Sequence, residues 1–346
     1  MTMPRVSVVM SVYNGERYLN EAIESILAQT FRDFEFIIID DGSTDSTPDI
    51  LNSYDDDRIV LVHNEQNIGL TRSLNKGIQI ARGNYLARQD ADDVALPERL
   101  AAQVNFLDAN PDVGVVGTWV AYIDENGQPT KLIRAPASPT LVGWLLLFGS
   151  CLVHPSVMMR RSCLEGDEIS RPEIPYAQDY DLWVRLSAKT QLANLPEILQ
   201  QMRIHTQRIS AQHYEQQEQI ARSIMQGAIA SLLGEIVPEA MLAGLRRVSH
   251  GKPVETSQEL SKLVGLIGRL HRAYVAHNTL NTCREVTEDA AYRLARLGAL
   301  HLRRWPLLAG PSIWQAICLN PSLLIKPTRL KRLASDFRDA KFEEEK

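Results

Sequence analysis

Three carboxylates, Asp90, Asp92 and Asp93, fall within four positions of the stretch QDADDVALPERL at 89–100. Like charges this close repel one another unless a cation offsets them. Carboxylate oxygens suit hard divalent cations such as Mg2+ or Mn2+, which are commonly shared with substrate phosphates. A lone DxD equally fits a solvated acidic loop, so the spacing alone leaves both uses open. A calcium loop of the EF-hand type fits poorly, because Val94 and Ala95 stand where that loop needs an oxygen ligand and a glycine.

The elements that must position these acids alternate. The apolar runs RVSVVMSV (5–12), DFEFIIID (33–40), RIVLVH (58–63) and NYLARQ (84–89) read as strands. Between them, ERYLNEAIESILAQ, the Pro48 segment and NIGLTRSLNKGIQIARG read as helices. Short links and β–α alternation predict a mostly parallel sheet covered on both faces. Ligands of such sheets bind beyond the carboxyl ends of the strands. Tyr13 and Asn14, Asp40 and Asp41, and Asp90 to Asp93 all fall there. Beyond residue 100 the texture changes. A hairpin turns at Glu125-Asn126-Gly127, LVGWLLLFG reads as a helix, HPSVMMRR as a strand, QDYDLWVRLSAK as a helix and ILQQMRIH as a last strand. Residues 206 to about 300 read as mostly helical.

Composition bounds the rest. The 346 residues, 45% hydrophobic and with net charge −5, are ordinary for a globular protein of about two domains. No broad basic footprint is present, which argues against nucleic acid as a partner. Cys151, Cys163, Cys283 and Cys318 form no CxxC and read as reduced, buried thiols. No signal peptide and no apolar stretch of about 20 residues is visible. The expected location is cytoplasmic, with a peripheral place at the inner membrane face left open. The C-terminal end mixes Trp305, Trp314, basic residues and aliphatics. It suits an anionic membrane surface or, alternatively, a packed helical extension or homodimer contact.

Two families bear on the acids. Asp90-Ala91-Asp92-Asp93-Val94 resembles the nucleophile motif of haloacid-dehalogenase-type phosphatases, with Asp90 attacking phosphorus. That motif normally closes the first strand, whereas here three apparent strands precede it. SVVMSVYNGERYLNEAIESILAQTFRDFEFIIIDDGSTDST, NIGLTRSLNKGI and YLARQDADDVALPERL together, in that order, more closely resemble family 2 glycosyltransferases over about residues 4–205. The resemblance implies a GT-A fold, Rossmann-like, with a nucleotide-binding half (1–100), an acceptor-side half (101–205) and a helical C-terminal region (206–346). It implies an inverting, metal-dependent transfer from a nucleotide sugar, UDP-linked by preference, to a glycan or lipid-linked acceptor in polysaccharide synthesis. Position by position, it implies that Val12 and Tyr13 pack on the nucleobase and ribose. Asp41 accepts the ring N–H of uracil, a donor thymine also offers. Arg72 faces the nucleotide, or is a helix-surface arginine. Asp90 stands near ribose and metal, Asp92 is the principal metal ligand, and Asp93 shapes the loop.

YAQDYDLWVRL resembles the same family's acid-opened helix, with Gln178 in place of the usual Glu. The resemblance makes Asp179 the catalytic base that takes the acceptor hydroxyl's proton. Asp181 is the fallback, with a structural role at the helix start. MRIHTQRIS resembles the family's Arg-x-His ending, which makes His205 a metal or diphosphate ligand, and His154 stands near acceptor and phosphates. Arg160 and Arg161 read as solvated surface and Trp183 as core. Gln178 leaves open a non-catalytic nucleotide-sugar-binding protein.

Overall fold

In a computed structural model of the chain, residues 3–164, 170–205, 213–278 and 283–321 are described. They form two compact units: residues 1–143 with 150–221, and residues 144–149 with 222–346.

The first unit is a mixed α/β layer structure. Its strands are β1 (Val6–Val12), β2 (Phe34–Asp40), β3 (Ile59–His63), β4 (Tyr85–Asp90), β5 (Val94–Ala95), β6 (Val113–Ile123), β7 (Pro129–Ile133), β8 (Met158–Arg160) and β9 (Gln191–Arg203). Their spatial order is β3-β2-β1-β4-β8-β6-β9-β5, with β7 added to β6. The longest ladders are all parallel, namely β1 on β2, β1 on β4, β2 on β3 and β6 on β9. Every residue of β1 and β2 is buried, as expected of central strands covered on both faces.

Helices α1 (Leu19–Leu27), α2 (Thr47–Asn52), α3 (Leu70–Ile80), α4 (Arg99–Ala109), α5 (Pro139–Leu145) and α6 (Gln178–Ser187) complete the α/β part. In α1, Leu19, Ala22, Ile23 and Ile26 share one face and are fully enclosed. Each such Leu or Ile contributes about 1.5–3 kcal/mol through burial. Helix α3 lies so close to the sheet that a Cβ on Gly77 would come within 2.5 Å of Ile39 and 2.7 Å of Val9. Glycine at that position permits the contact.

Two segments differ from expectation. His154–Ser156 of HPSVMMRR is a 3₁₀ turn, and only Met158–Arg160 joins the sheet, because Pro155 has no N–H for a ladder. The last strand begins at Gln191, seven residues early, since its polar start is recruited by pairing with β6. Arg160 and Arg161 are not simply solvated. Arg160 donates to the carbonyls of Leu107, Val113 (2.8 Å) and Asn110 (3.2 Å), and Arg161 to that of Ala81. No disulfide joins the cysteines, and of the four only Cys283 is buried.

The second unit is helical: α7 (Tyr214–Leu233) from Arg222 on, α8 (Glu239–Ser249), α9 (Ser257–Ala276), α10 (Arg284–His301) and α11 (Pro306–Leu319). Residues 144–149 belong to it. There Trp144 is fully buried, donates to Asp289 at 2.7 Å and meets Phe148 edge-on. No described helix is long and apolar enough to cross a membrane. The basic run at 326–332 lies outside the described residues.

Candidate active site

The parallel register lines up the strand ends. Val12 is paired with Asp40, and Ser11 sits between Ile39 and Asp90. Three acid- or amide-bearing loops therefore leave one edge of the sheet side by side.

On the β1–β2 side, Val12 is buried while Tyr13 is 49% exposed. Asn14 adopts a left-handed φ of 49° that short polar side chains tolerate. Its N–H donates to Ser43 Oγ at 3.0 Å, and its Oδ1 accepts from the Thr44 N–H at 2.8 Å. The loops after β1 and β2 are thus fastened to each other. Asp41 is buried, and its carboxylate accepts from Asn64 Nδ2, the Ile68 N–H and the Gly69 N–H, each at 2.9 Å. A carboxylate has about four lone-pair sites, so one remains on Oδ2. Gly42, at φ +73°, lets the backbone of Gln66 and Asn67 come close: a Cβ there would lie 2.6 Å from the Gln66 carbonyl carbon. Asp40 accepts from the Ser43 N–H at 3.0 Å and faces His63 at 3.1 Å. Both acids of the pair therefore shape loops. Arg72 is exposed on the first turn of α3 and has no hydrogen-bond or ion-pair partner among the described residues.

The β4 end carries the denser charge. Oxygens of Asp90, Asp92 and Asp93 all lie within 4.8 Å of one another. Asp90 is paired with the buried guanidinium of Arg88. Asp92 Oδ2 meets His205 Nε2 at 2.8 Å, and Asp93 Oδ1 accepts the Arg203 N–H at 2.9 Å. Burial, and then the charge of Asp90, holds the Asp92 carboxyl above the usual carboxylate range. The donor set consists of hard carboxylate oxygens with one imidazole nitrogen, which fits Mn2+ or Mg2+ rather than a soft metal.

Strand β5 explains why residues so distant in sequence meet. Val94 and Ala95 pair with Gln201 and Gln200, drawing the acid loop against the end of β9. Arg203, almost wholly enclosed, then locks it. Its guanidinium donates to the Asp92 carbonyl at 3.1 Å and the Asp124 carbonyl at 3.2 Å, pairs with Glu21 and covers the Tyr18 ring at 4.4 Å. Arg99 acts behind the acid loop. It donates to Gln89 and Gln200 at 2.9 and 2.8 Å and to the Arg88 carbonyl at 2.7 Å. Complete burial pulls its pKa down to about 9.

Asp179 stands on the first turn of α6, whose buried Leu182, Trp183 and Leu186 anchor it. The residue before the helix, Ala177, has φ 59°. Burial pushes the Asp179 carboxyl up, its own N–H and that of Tyr180 counteract, and the charge of Asp90 adds to the rise. The field of Asp90 thus reaches the acid of α6. Asp181 is engaged elsewhere, with Arg185 at 2.8 Å and Arg171 at 3.3 Å, so it stiffens the helix start. His154 is pushed down to about 3 by burial and by Arg88, with Asp90 opposing, and its ring lies 6.0 Å from Trp183. It is a neutral imidazole at physiological pH.

Arg88, Arg203, Arg99 and Glu21 were not singled out as site residues from sequence. One signal was there to find: an arginine inside the apolar run NYLARQ must be paired if that run is buried.

Comparison with known proteins identifies the family. The sequence model described as Glycosyl transferase family 2 matches residues 7–166. An O-antigen biosynthesis glycosyltransferase of Escherichia coli, WbnJ, is 31% identical over 223 residues, 61% of this chain and 85% of its own length. The chain belongs to glycosyltransferase family 2. An uncharacterized family member of Methanocaldococcus jannaschii is 41% identical over 193 residues, 54% of this chain and 66% of its own length. Among solved structures, TarS 1–349 of S. aureus, in complex with UDP-GlcNAc, superposes with a TM-score of 0.55 at 18% identity, covering 92% of this chain and 91% of that one. That likeness is one of fold, and it identifies the first unit's architecture as the GT-A type of the glycosyltransferases.

Proposed function

We propose that this family 2 glycosyltransferase is a metal-dependent, inverting enzyme that moves a sugar from a nucleoside diphosphate sugar, UDP-linked by preference, to a glycan or lipid-linked acceptor. Residues 1–205 would carry the reaction. The observation that carries the reading is convergence. Asp90 and Asp92 on the β4 end, His205 beyond β9 and Asp179 on α6 come from separate elements; His205 Nε2 meets Asp92 Oδ2 at 2.8 Å, and the charge of Asp90 raises the carboxyls of both Asp92 and Asp179. WbnJ, by its name, serves O-antigen biosynthesis, which supports a role in polysaccharide assembly.

In this reading Tyr13 and Val12 flank the base and ribose. The remaining lone pair of Asp41 accepts a ring N–H, and Arg72 has its guanidinium available for the nucleotide. Asp92, Asp90 and His205 would hold a divalent cation, which neutralises charge growing on the leaving diphosphate. Asp179 takes the proton of the acceptor hydroxyl. That oxygen forms its bond to the anomeric carbon as the carbon–oxygen bond to the diphosphate breaks on the opposite face, so the configuration inverts. A raised carboxyl pKa makes Asp179 a better base than an ordinary aspartate. The phosphatase alternative loses ground, since Asp90 closes the fourth strand and is held by Arg88. Peripheral membrane contact through the C-terminal region and a homodimer complete the proposed partners.

The test is a thermal-shift screen of nucleotide sugars with and without Mn2+, repeated on Asp92→Ala. Ligand affinity for the folded state appears as stabilisation. Expected is a UDP-sugar shift that needs Mn2+ and disappears in Asp92→Ala. An equal shift without Mn2+, or an unchanged one in the variant, would refute the metal assignment.

A further inference from the structure

Helix α11 is built inside out. Its 14 residues, PLLAGPSIWQAICL, include no charged side chain. An ordinary surface helix buries its large apolar residues and exposes polar ones. Here the buried face is Ala309, Ser312 and Ala316, while Leu307 is 90% exposed, Trp314 66% and Leu308 41%. Close packing explains the small inner face. A Cβ on Gly298 of α10 would come within 2.9 Å of the Ala309 carbonyl oxygen. Leu307, Pro311, Trp314 and Cys318 are spaced by four, three and four residues and are all exposed. At about 100° per residue they form one stripe, opposite the face that packs on the unit.

Charge accompanies the stripe. Arg303 and Arg304, both exposed, immediately precede the helix, and Arg304 lies over the Trp305 ring at 4.7 Å. Residues 290–335 contain no Asp or Glu, yet they include Arg293, Arg296, Arg303, Arg304, Lys326, Arg329, Lys331 and Arg332. In a chain of net charge −5 the sequence around this helix is thus basic, and among the described residues Arg303 and Arg304 stand exposed at its start. At about 1.5 Å per residue the helix is about 21 Å long, short of the roughly 30 Å hydrocarbon core, so it suits a position in the interface rather than across it.

We infer that α11 is a membrane-docking helix, its Leu307–Pro311–Trp314–Cys318 stripe entering the headgroup region of an anionic bilayer and Arg303 and Arg304 meeting lipid phosphates. A lipid surface fits better than a protein groove because the apolar stripe and the acid-free basic stretch occur together. The inference goes beyond the transferase reading and uses none of its site residues.

Co-sedimentation of the full chain with vesicles tests it. Binding is expected to phosphatidylcholine vesicles containing phosphatidylglycerol, much weaker binding to phosphatidylcholine alone, and release by high salt. Leu307→Ser with Trp314→Ser should abolish it. Arg303→Gln and Arg304→Gln should each weaken it about fivefold. All variants should keep the wild-type melting temperature and nucleotide-induced shift, because the altered side chains are exposed. Failure of the nucleotide shift would count against the transferase reading without touching this one. Equal binding to neutral and anionic vesicles, or no binding by the wild type, would overturn the inference. So would self-association without lipid that Trp314→Ser removes, which would assign the stripe to a second copy of the chain.

Discussion

Replacing Arg203 by methionine should damage both the fold and the candidate metal site, by amounts the structure allows one to work out. Methionine keeps much of the buried stem, so the loss is mainly polar. The ion pair with Glu21 contributes little, because that carboxylate is 53% exposed. Two charged hydrogen bonds to backbone carbonyls, at 3.1 and 3.2 Å, remain to be lost. Each contributes about 1.5 kcal/mol at the lower end for charged donors. The contact with the Tyr18 ring adds about 1 kcal/mol. The sum is about 4 kcal/mol, or a fall of about 8–16 °C in the melting temperature of a unit this size. The Asp92 carbonyl would also be released, which should weaken Mn2+-dependent UDP binding by about 10–100-fold, as loss of outer-shell support does at metal sites. Differential scanning calorimetry and titration calorimetry read the two effects. A fall below 2 °C together with UDP affinity within twofold of wild type would refute the idea that Arg203 holds the acid loop.

Asp179→Asn should lower transfer by about 10²–10⁴-fold while UDP binding persists, as measured by single-turnover assays beside calorimetry. The same variant should be more stable than wild type at pH 7. A carboxyl whose folded pKa is raised favours the folded state only while protonated, so its penalty is present at neutral pH and vanishes as pH falls below the unfolded value. Transfer within tenfold of wild type would remove Asp179 as the base. His154 has the opposite dependence. Its folded pKa is depressed to about 3, so the stability it contributes is full above the unfolded value near 6.5 and is lost as pH falls from there towards 3. Urea unfolding followed over that window should show His154→Gln flattening the slope by about 1.4 kcal/mol per pH unit, and an unchanged slope would contradict a buried neutral imidazole.

Much of this protein is determined locally. The apolar runs of β1, β2 and β4 could only be buried parallel strands, and a parallel sheet must gather its loops at one edge. Asp41, Asp90 and Asp92 were therefore identifiable as neighbours before any coordinate. Period and composition likewise marked α1, α3 and α6. Which acids hold loops was settled only by packing. Asp41 and Asp40 look alike in sequence, and both proved to be engaged by backbone N–H groups. The meeting of Asp92 with His205 depends on β5, a two-residue strand too short to leave a periodic signal, pairing with β9 over a separation that no local pattern encodes. Arg88, Arg99 and Arg203 are buried cations whose purpose is their partners, and partners are a property of the folded chain. Helix α11 shows the same division. Its lack of charge is written in the sequence, but only the close approach of α10 decided that its small residues face inward and its large ones outward.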